Sequence, residues 1–196
     1  MGGNTETLLD WCLEGAREQG AEVQKYRLCD LDLHGCRGCG ACSKDGVCIV
    51  GDGMQGLYPR LRAADSIVLA APIYSMGMPA LPKMMIDRCQ PLWAWKYVLG
   101  RGLIEEGRPQ RLGAYLSCAG TEFAHVFDGS RQVVRYFWHV LEAKSTGELL
   151  CPGVDESGAV KDFPSSRTVA LDIGRRLGEP RQSVTPTNEE QGEAGE

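Results

Sequence analysis

Positive charge is concentrated nowhere in this sequence. The formal net charge is −5, and no basic run with interleaved aromatics occurs, so the electrostatic face that nucleic acid requires is missing. Also missing is any apolar run approaching the ~20 residues that cross a bilayer. No secretory leader is legible, because the polar, glycine-rich start passes straight into a helical pattern. The expectation is a cytoplasmic protein with neither a nucleic-acid nor a membrane partner. Histidines are scarce, and His34, His125 and His139 stand alone; all three read as surface residues, and no catalytic side chain is nominated.

What remains is the profile of one globular domain: 196 residues, 43% apolar and 24% charged, enough chain to bury a core without disulfide staples. Nine cysteines are present. In a reducing compartment they read as thiols or metal ligands.

Apolar periodicity lays out the elements. Leu8, Leu9, Cys12, Leu13 and Ala16 form one stripe of a helix that begins almost at residue 1 and stops near Gly20. A strand is predicted over Val23–Leu28, weakly alternating and therefore at a sheet edge. Asp52 caps a helix carrying Met54, Leu57, Tyr58 and Leu61, which Pro59 should kink or delay. Ser66–Ala71 reads as a strand covered on both faces, and Pro79 and Pro82 open the helix through Met84, Met85, Ile86 and Cys89. Trp93–Leu99 looks like a helix extension or a packing arm. Leu112–Cys118 is a second buried strand, Val133–Leu141 a helix, Glu148–Cys151 a short strand, and Val169–Leu177 a last helix. The boundaries are 1–178 for the domain and 179–196 for an acidic tail with no apolar period, expected to be disordered. Strands alternating with helices predict an α/β fold, a doubly wound parallel sheet with helices on both faces. Four strands are counted, and the first helix has none before it.

Cys36, Cys39, Cys42 and Cys48 fall within thirteen positions with the spacing C-x2-C-x2-C-x5-C. Two-residue gaps let successive thiolates turn toward one small centre, with Gly38 and Gly40 supplying the unusual backbone conformations. Four thiolates in so compact a run favour an iron–sulfur cluster. Zinc, usually held by two separated pairs, and a redox-active or vestigial thiol set remain alternatives. Cys12, Cys29, Cys89, Cys118 and Cys151 read as small buried hydrophobes.

In doubly wound sheets a ligand sits at the carboxyl ends of the strands. Three segments fall there. Gly2-Gly3-Asn4-Thr5 opens a helix, where free N–H groups suit a phosphate. Pro72-Ile73-Tyr74-Ser75-Met76-Gly77 follows the first buried strand, with an aromatic face at Tyr74 and close backbone approach at Gly77. Ala119-Gly120-Thr121 follows the second, with small residues that leave room for a planar ring.

The set G-N-T, then the cysteine spacing, then A-P-I-Y-x4-P-A-x2-K-x2-I-D-R resembles the NAD(P)H-dependent FMN reductase family of flavodoxin-like proteins, and more narrowly its iron–sulfur flavoprotein branch. The likeness runs from residue 2 to about Leu177, and Pro72–Arg88 and the cysteine loop are its most specific parts. It implies an FMN-dependent oxidoreductase with NAD(P)H or reduced ferredoxin as donor. Asn4 and Thr5 would meet the FMN phosphate, Pro72 to Gly77 would border the ring with Tyr74 against it, and Ala119 to Thr121 would line its other side. The four loop cysteines would hold a [4Fe–4S] cluster. Family members begin with a strand and a G-S-P-R-like turn that are lacking here; in the strand order 2-1-3-4-5 that strand is near the middle, so the reading places Met1 inside the phosphate loop with the first strand missing. Relatives are commonly dimers or tetramers, and Trp93–Leu99 is the expected interface of a homo-oligomer. Two rivals stay open: a flavodoxin-type electron carrier that turns over no substrate, and a metal-binding protein without flavin.

Overall fold

The computed structural model describes residues 2–181. Three parallel strands, β1 (Ser66–Ala70), β2 (Arg111–Cys118) and β3 (Ala143–Cys151), lie in the order β1-β2-β3. The helices are α1 (Asn4–Glu18), α2 (Cys42–Asp45), α3 (Met54–Ala63), α4 (Ala80–Asp87), α5 (Gln90–Tyr97), α6 (Asp128–Val140) and α7 (Pro164–Gly178). This is the doubly wound α/β arrangement expected. Among the described residues no helix is long and apolar enough to cross a membrane. The tail expected from residue 179 falls, from 182 onward, outside the described residues.

Parallel strands need crossovers, and the crossovers cover both faces. On one face Met54 and Leu57 of α3, Met85 and Ile86 of α4, Leu92 of α5, and Val134 and Phe137 of α6 pack with Tyr115. On the other, Leu8 and Cys12 of α1 and Ala170 and Ile173 of α7 pack with Ala114, Leu116 and Cys118. The alternation along β2, with Tyr115 to one side and Ala114 and Leu116 to the other, is the period of two that a strand imposes. Helices α1 and α7 touch backbone to backbone: a Cβ on Gly174 would fall 1.9 Å from the Cys12 carbonyl oxygen.

Several expectations are corrected. Val23–Leu28 is not a strand; it runs without ladder bonds into a single 3-10 turn at Leu28–Asp30. A strand exists only through a neighbour. Between this segment and β1 lies instead a cavity of about 830 Å³, walled by residues 19–26 and Leu28 on one side and Ser66–Ala70 on the other. As expected, no strand precedes α1 among the described residues; the described sheet has three strands rather than the four counted. For the same reason β1 is only partly buried, not covered all round. Its hydrogen bonds to β2 use Asp65 and Ala71, and Ile73 bonds onward to Cys118. Alternation therefore turns the N–H and C=O groups of Ser66, Val68 and Ala70 toward the cavity. Helix α3 starts at Met54 without delay and carries Pro59 inside it. The third strand, expected over Glu148–Cys151, begins five residues earlier at Ala143.

Candidate functional site

The carboxyl edge of the sheet is laced by main-chain hydrogen bonds that pass from strand to strand. Ile73, beyond β1, donates to the Cys118 carbonyl at the end of β2, and Ala119 donates to the Cys151 carbonyl at the end of β3. Val154 donates back to Ala119, and Gly153 to Thr121. The Asn4 side chain closes the chain of contacts. Its amide donates to the Glu156 carbonyl at 2.8 Å, and its oxygen accepts from the Gly158 and Val160 N–H groups at 2.8 and 3.3 Å. The three predicted segments, 2–5, 72–77 and 119–121, are thus brought to one end of the sheet. The Asn4 amide is occupied in fastening α1 to the loop after β3, so what the α1 start offers an anion is its unbonded first-turn N–H groups. A Cβ on Gly3 would meet nothing within 4 Å, which leaves that approach open.

Pro72 ends the first strand, and Tyr74 and Gly77 then exchange both backbone hydrogen bonds at 3.0 Å. The two residues between them, Ser75 and Met76, have φ of 49° and 63°. Two positive φ values in a two-residue connection make a type I′ turn, a conformation suited to Asn-Gly and strained for a bulky side chain. This turn holds the Tyr74 ring 66% exposed, with Met76 exposed beside it. A Cβ on Gly129 would stand 3.3 Å from the Met76 carbonyl, so the turn rests on the start of α6. Gly120 is fixed by Asp155, whose carboxylate would lie 2.5 Å from any Cβ there. Free helix N–H donors, an exposed ring and glycine-lined backbone fit a flat nucleotide such as FMN. His125 is exposed and bonds Asp128 at 2.8 Å, as a surface residue should.

The four loop cysteines line one hollow of about 720 Å³, shared with Met78 and Ala80 from the segment just after the turn. Cys36 and Cys39 are exposed, Cys42 and Cys48 half-buried, and all are free thiols. Gly38, Gly40 and Gly46 take φ of 64°, 69° and 81°. Burial pushes the Cys42 thiol up against a backbone hydrogen bond that lowers it, and the charges that Cys48, Cys36 and Cys39 would carry add to the rise. Four thiolates around one hollow therefore call for a cation to neutralise them. The donor set suits a [4Fe–4S] centre in kind and number. Among the described residues, however, no three His, Cys, Asp or Glu side chains are gathered closely enough to hold a metal ion. Cys29, expected to be buried, is exposed; it sits in the 3-10 turn that replaced the expected strand.

Beneath the hollow is an ion pair that sequence patterning reached only in part. Asp52 does bond the Met54 N–H at 3.0 Å, as a cap should. It also receives the His34 N–H at 2.9 Å and pairs with both terminal nitrogens of Arg88. Arg88 reaches the His34 carbonyl at 2.7 Å and the Val50 carbonyl at 3.2 Å. The Arg88 side chain is 1% exposed and that of Asp52 0%. One guanidinium thereby ties the chain just before Cys36 to the chain just after Cys48. Burial alone would raise the Asp52 carboxyl, but the Arg88 hydrogen bonds and the two backbone donors outweigh it and hold the group at about 2. Arg88 is the arginine of the I-D-R run, whose spacing carried no sign of its partner. Gln55 adds bonds to the Cys48 and Val50 carbonyls at 3.0 and 2.8 Å.

Of the expected interface segment, Trp95 is engaged internally: a Cβ on Gly46 would strike its indole, and Arg62 stacks 3.8 Å from its ring centre. Tyr97 and Val98 stay exposed.

A model of the family described as NADPH-dependent FMN reductase matches residues 1–139. An iron–sulfur flavoprotein of Methanosarcina thermophila is 32% identical over 120 residues, 61% of this chain and 58% of that protein. One from Methanocaldococcus jannaschii is 36% identical over 90 residues, 46% of this chain and 47% of that one. The chain thus spans about half the length of the curated relatives it matches. Among solved structures, a flavone reductase superposes with a TM-score of 0.63 at 19% identity, covering 90% of this chain and 58% of that one. Azoreductase AzrA does so with 0.60 at 13%, covering 90% and 91%. At such identities these two likenesses speak to the fold.

Proposed function

The chain belongs to the NADPH-dependent FMN reductase family, and from that premise we propose that it is an FMN-binding oxidoreductase taking electrons from NAD(P)H or a reduced ferredoxin. The observation that carries this reading is the lacing of three strand-end segments and the α1 start onto one edge of the sheet. There the first-turn N–H groups, with Thr5, would hold the phosphate. Pro72 to Gly77 would border the ring, the Ser75–Met76 turn keeping Tyr74 available to stack on it, and Ala119 to Thr121 would close the opposite side. Bound FMN would supply the redox chemistry, taking two electrons and releasing them singly. The residues here bind and orient; none is required as an acid or base.

Cys36, Cys39, Cys42 and Cys48 would hold a [4Fe–4S] cluster, with Arg88 and Asp52 fixing the ends of their loop. Two observations support this: the shared hollow that joins the four thiols to Met78 and Ala80 beside the flavin segment, and the iron–sulfur flavoproteins among the relatives. A homo-oligomer contacting through Tyr97 and Val98 completes the proposal, and light scattering that finds a monomer would remove that part.

The test is a titration of apoprotein with FMN followed by flavin fluorescence, then NAD(P)H oxidation by the loaded protein. Binding with turnover is expected. Binding without turnover, together with rapid reduction by ferredoxin, would instead identify an electron carrier, and no binding by folded protein would remove the redox role. Iron analysis after anaerobic purification tests the cluster separately.

A further inference from the structure

Two cysteines that the proposed redox site does not use end neighbouring strands side by side. Cys118, the last residue of β2, is the register partner of Cys151, the last of β3. Both point to the α1–α7 face, where they belong to one apolar cluster with Leu8 and Val154. Register partners on adjacent strands lie about 4.8 Å apart, inside the Cα span of roughly 4.4–6.8 Å that a disulfide bridges. Side chains of such partners leave the sheet in the same direction, so both sulfurs enter the same apolar layer. The exposures are 4% and 6%, so in the folded protein the pair is shielded from bulky reagents.

The surroundings divide the two thiols into unlike roles. The Ser166 hydroxyl of α7 lies 3.5 Å from the Cys151 sulfur. Cys118 and then Ser166 draw the Cys151 thiol downward against its burial, whereas contact with Cys151 and then burial push Cys118 up. The Ser166 hydroxyl is placed to donate to a thiolate at Cys151, which makes Cys151 the attacking sulfur of the pair. Leu8 of α1 packs in the same cluster, so the pair lies beneath the N-terminal half of α1.

We propose that Cys118 and Cys151 are a redox-active dithiol that hydrogen peroxide converts to a disulfide beneath α1. The Cys151 sulfur attacks one peroxide oxygen, the O–O bond breaks and one water leaves, giving Cys151 sulfenic acid. The Cys118 sulfur then displaces the second oxygen as water and the S–S bond forms. Two electrons pass from the two sulfurs to the peroxide, and both thiol protons end in the two waters. A thiol reductant reverses the change. The assignment is independent of flavin binding.

Trypsin places the two residues on separate peptides, 112–131 and 145–161, so the linkage is read directly by mass spectrometry. Full-length protein is treated with peroxide, its remaining thiols are alkylated under denaturing conditions, and it is digested. The expected product is a single species lighter than the two peptides together by two hydrogens, and lost after dithiothreitol. Peptide 28–37 carries exposed Cys29 and Cys36, so its oxidation in the same digest proves delivery of the oxidant. In Cys118→Ser, dimedone added together with denaturant should trap the sulfenic acid at Cys151; in Cys151→Ser, Cys118 should stay alkylatable at the same dose. Oxidation of peptide 28–37 with both 112–131 and 145–161 recovered separately alkylated would overturn the proposal. The wild-type readout decides the matter even where a variant fails to fold.

Discussion

At the scale of single residues the cysteine loop depends on Arg88. Removing it by Arg88→Ala leaves the Asp52 carboxylate in a buried place without its partner, at a cost on the order of 3–5 kcal/mol. The expected outcome is a lower urea midpoint, and anaerobically purified protein should carry less iron because both ends of the loop are released. Arg88→Lys should rescue only part of the loss, since an ammonium cannot reproduce the forked contacts to His34, Val50 and Asp52. The Asp52 carboxyl also sets a direction with pH. Its folded value, about 2, lies below the ordinary carboxylate value of about 3.9. The unfolded chain therefore binds the proton first, and the stabilisation is complete above about pH 4 and lost as pH falls toward 2. An acid titration followed by circular dichroism should show that loss, and Asp52→Asn should have a flatter profile across the same window. Neither partner was legible in full from the sequence. Asp52 carried a local signal, a cap before a helix, while its bond to an arginine far along the chain leaves no trace in neighbouring residues.

Whole elements were legible in proportion to how much of their character is local. The apolar runs at Ser66–Ala71 and Leu112–Cys118 appear as β1 and β2 almost to the residue, because burial on a parallel sheet demands uninterrupted apolar side chains. The first half of β3, Ala143–Gly147, is polar and partly exposed, and its ladder to β2 gave no hydrophobic signal. Residues 23–28 show the converse failure, a strand-like composition without a neighbour to pair with. The Ser75–Met76 turn was legible as a loop but not as a strained one. Replacing it with Asn-Gly, by Ser75→Asn together with Met76→Gly, should relieve left-handed strain and raise stability by about 1 kcal/mol in denaturant titrations. Helix packing is sensitive in the opposite sense. Gly174→Ala drives a methyl group into the Cys12 carbonyl, so α1 and α7 must part, with a loss of about 1–3 kcal/mol measurable as a fall in Tm.

For the molecule as a whole, the order of layers followed from alternation of strands and helices, and three parallel strands between two helical layers bear it out. The hollow beside β1 followed not from alternation but from the resemblance, which put the missing first strand near the middle of the sheet. That hollow divides the strand by odd and even positions. Amides at Ile67 and Leu69 are locked into the ladder with β2, whereas those at Val68 and Ala70 face the cavity. Deuterium should enter the second pair orders of magnitude sooner than the first, a sawtooth along five consecutive residues that site-resolved exchange can read. An even rate along the strand would mean that its free side is engaged after all.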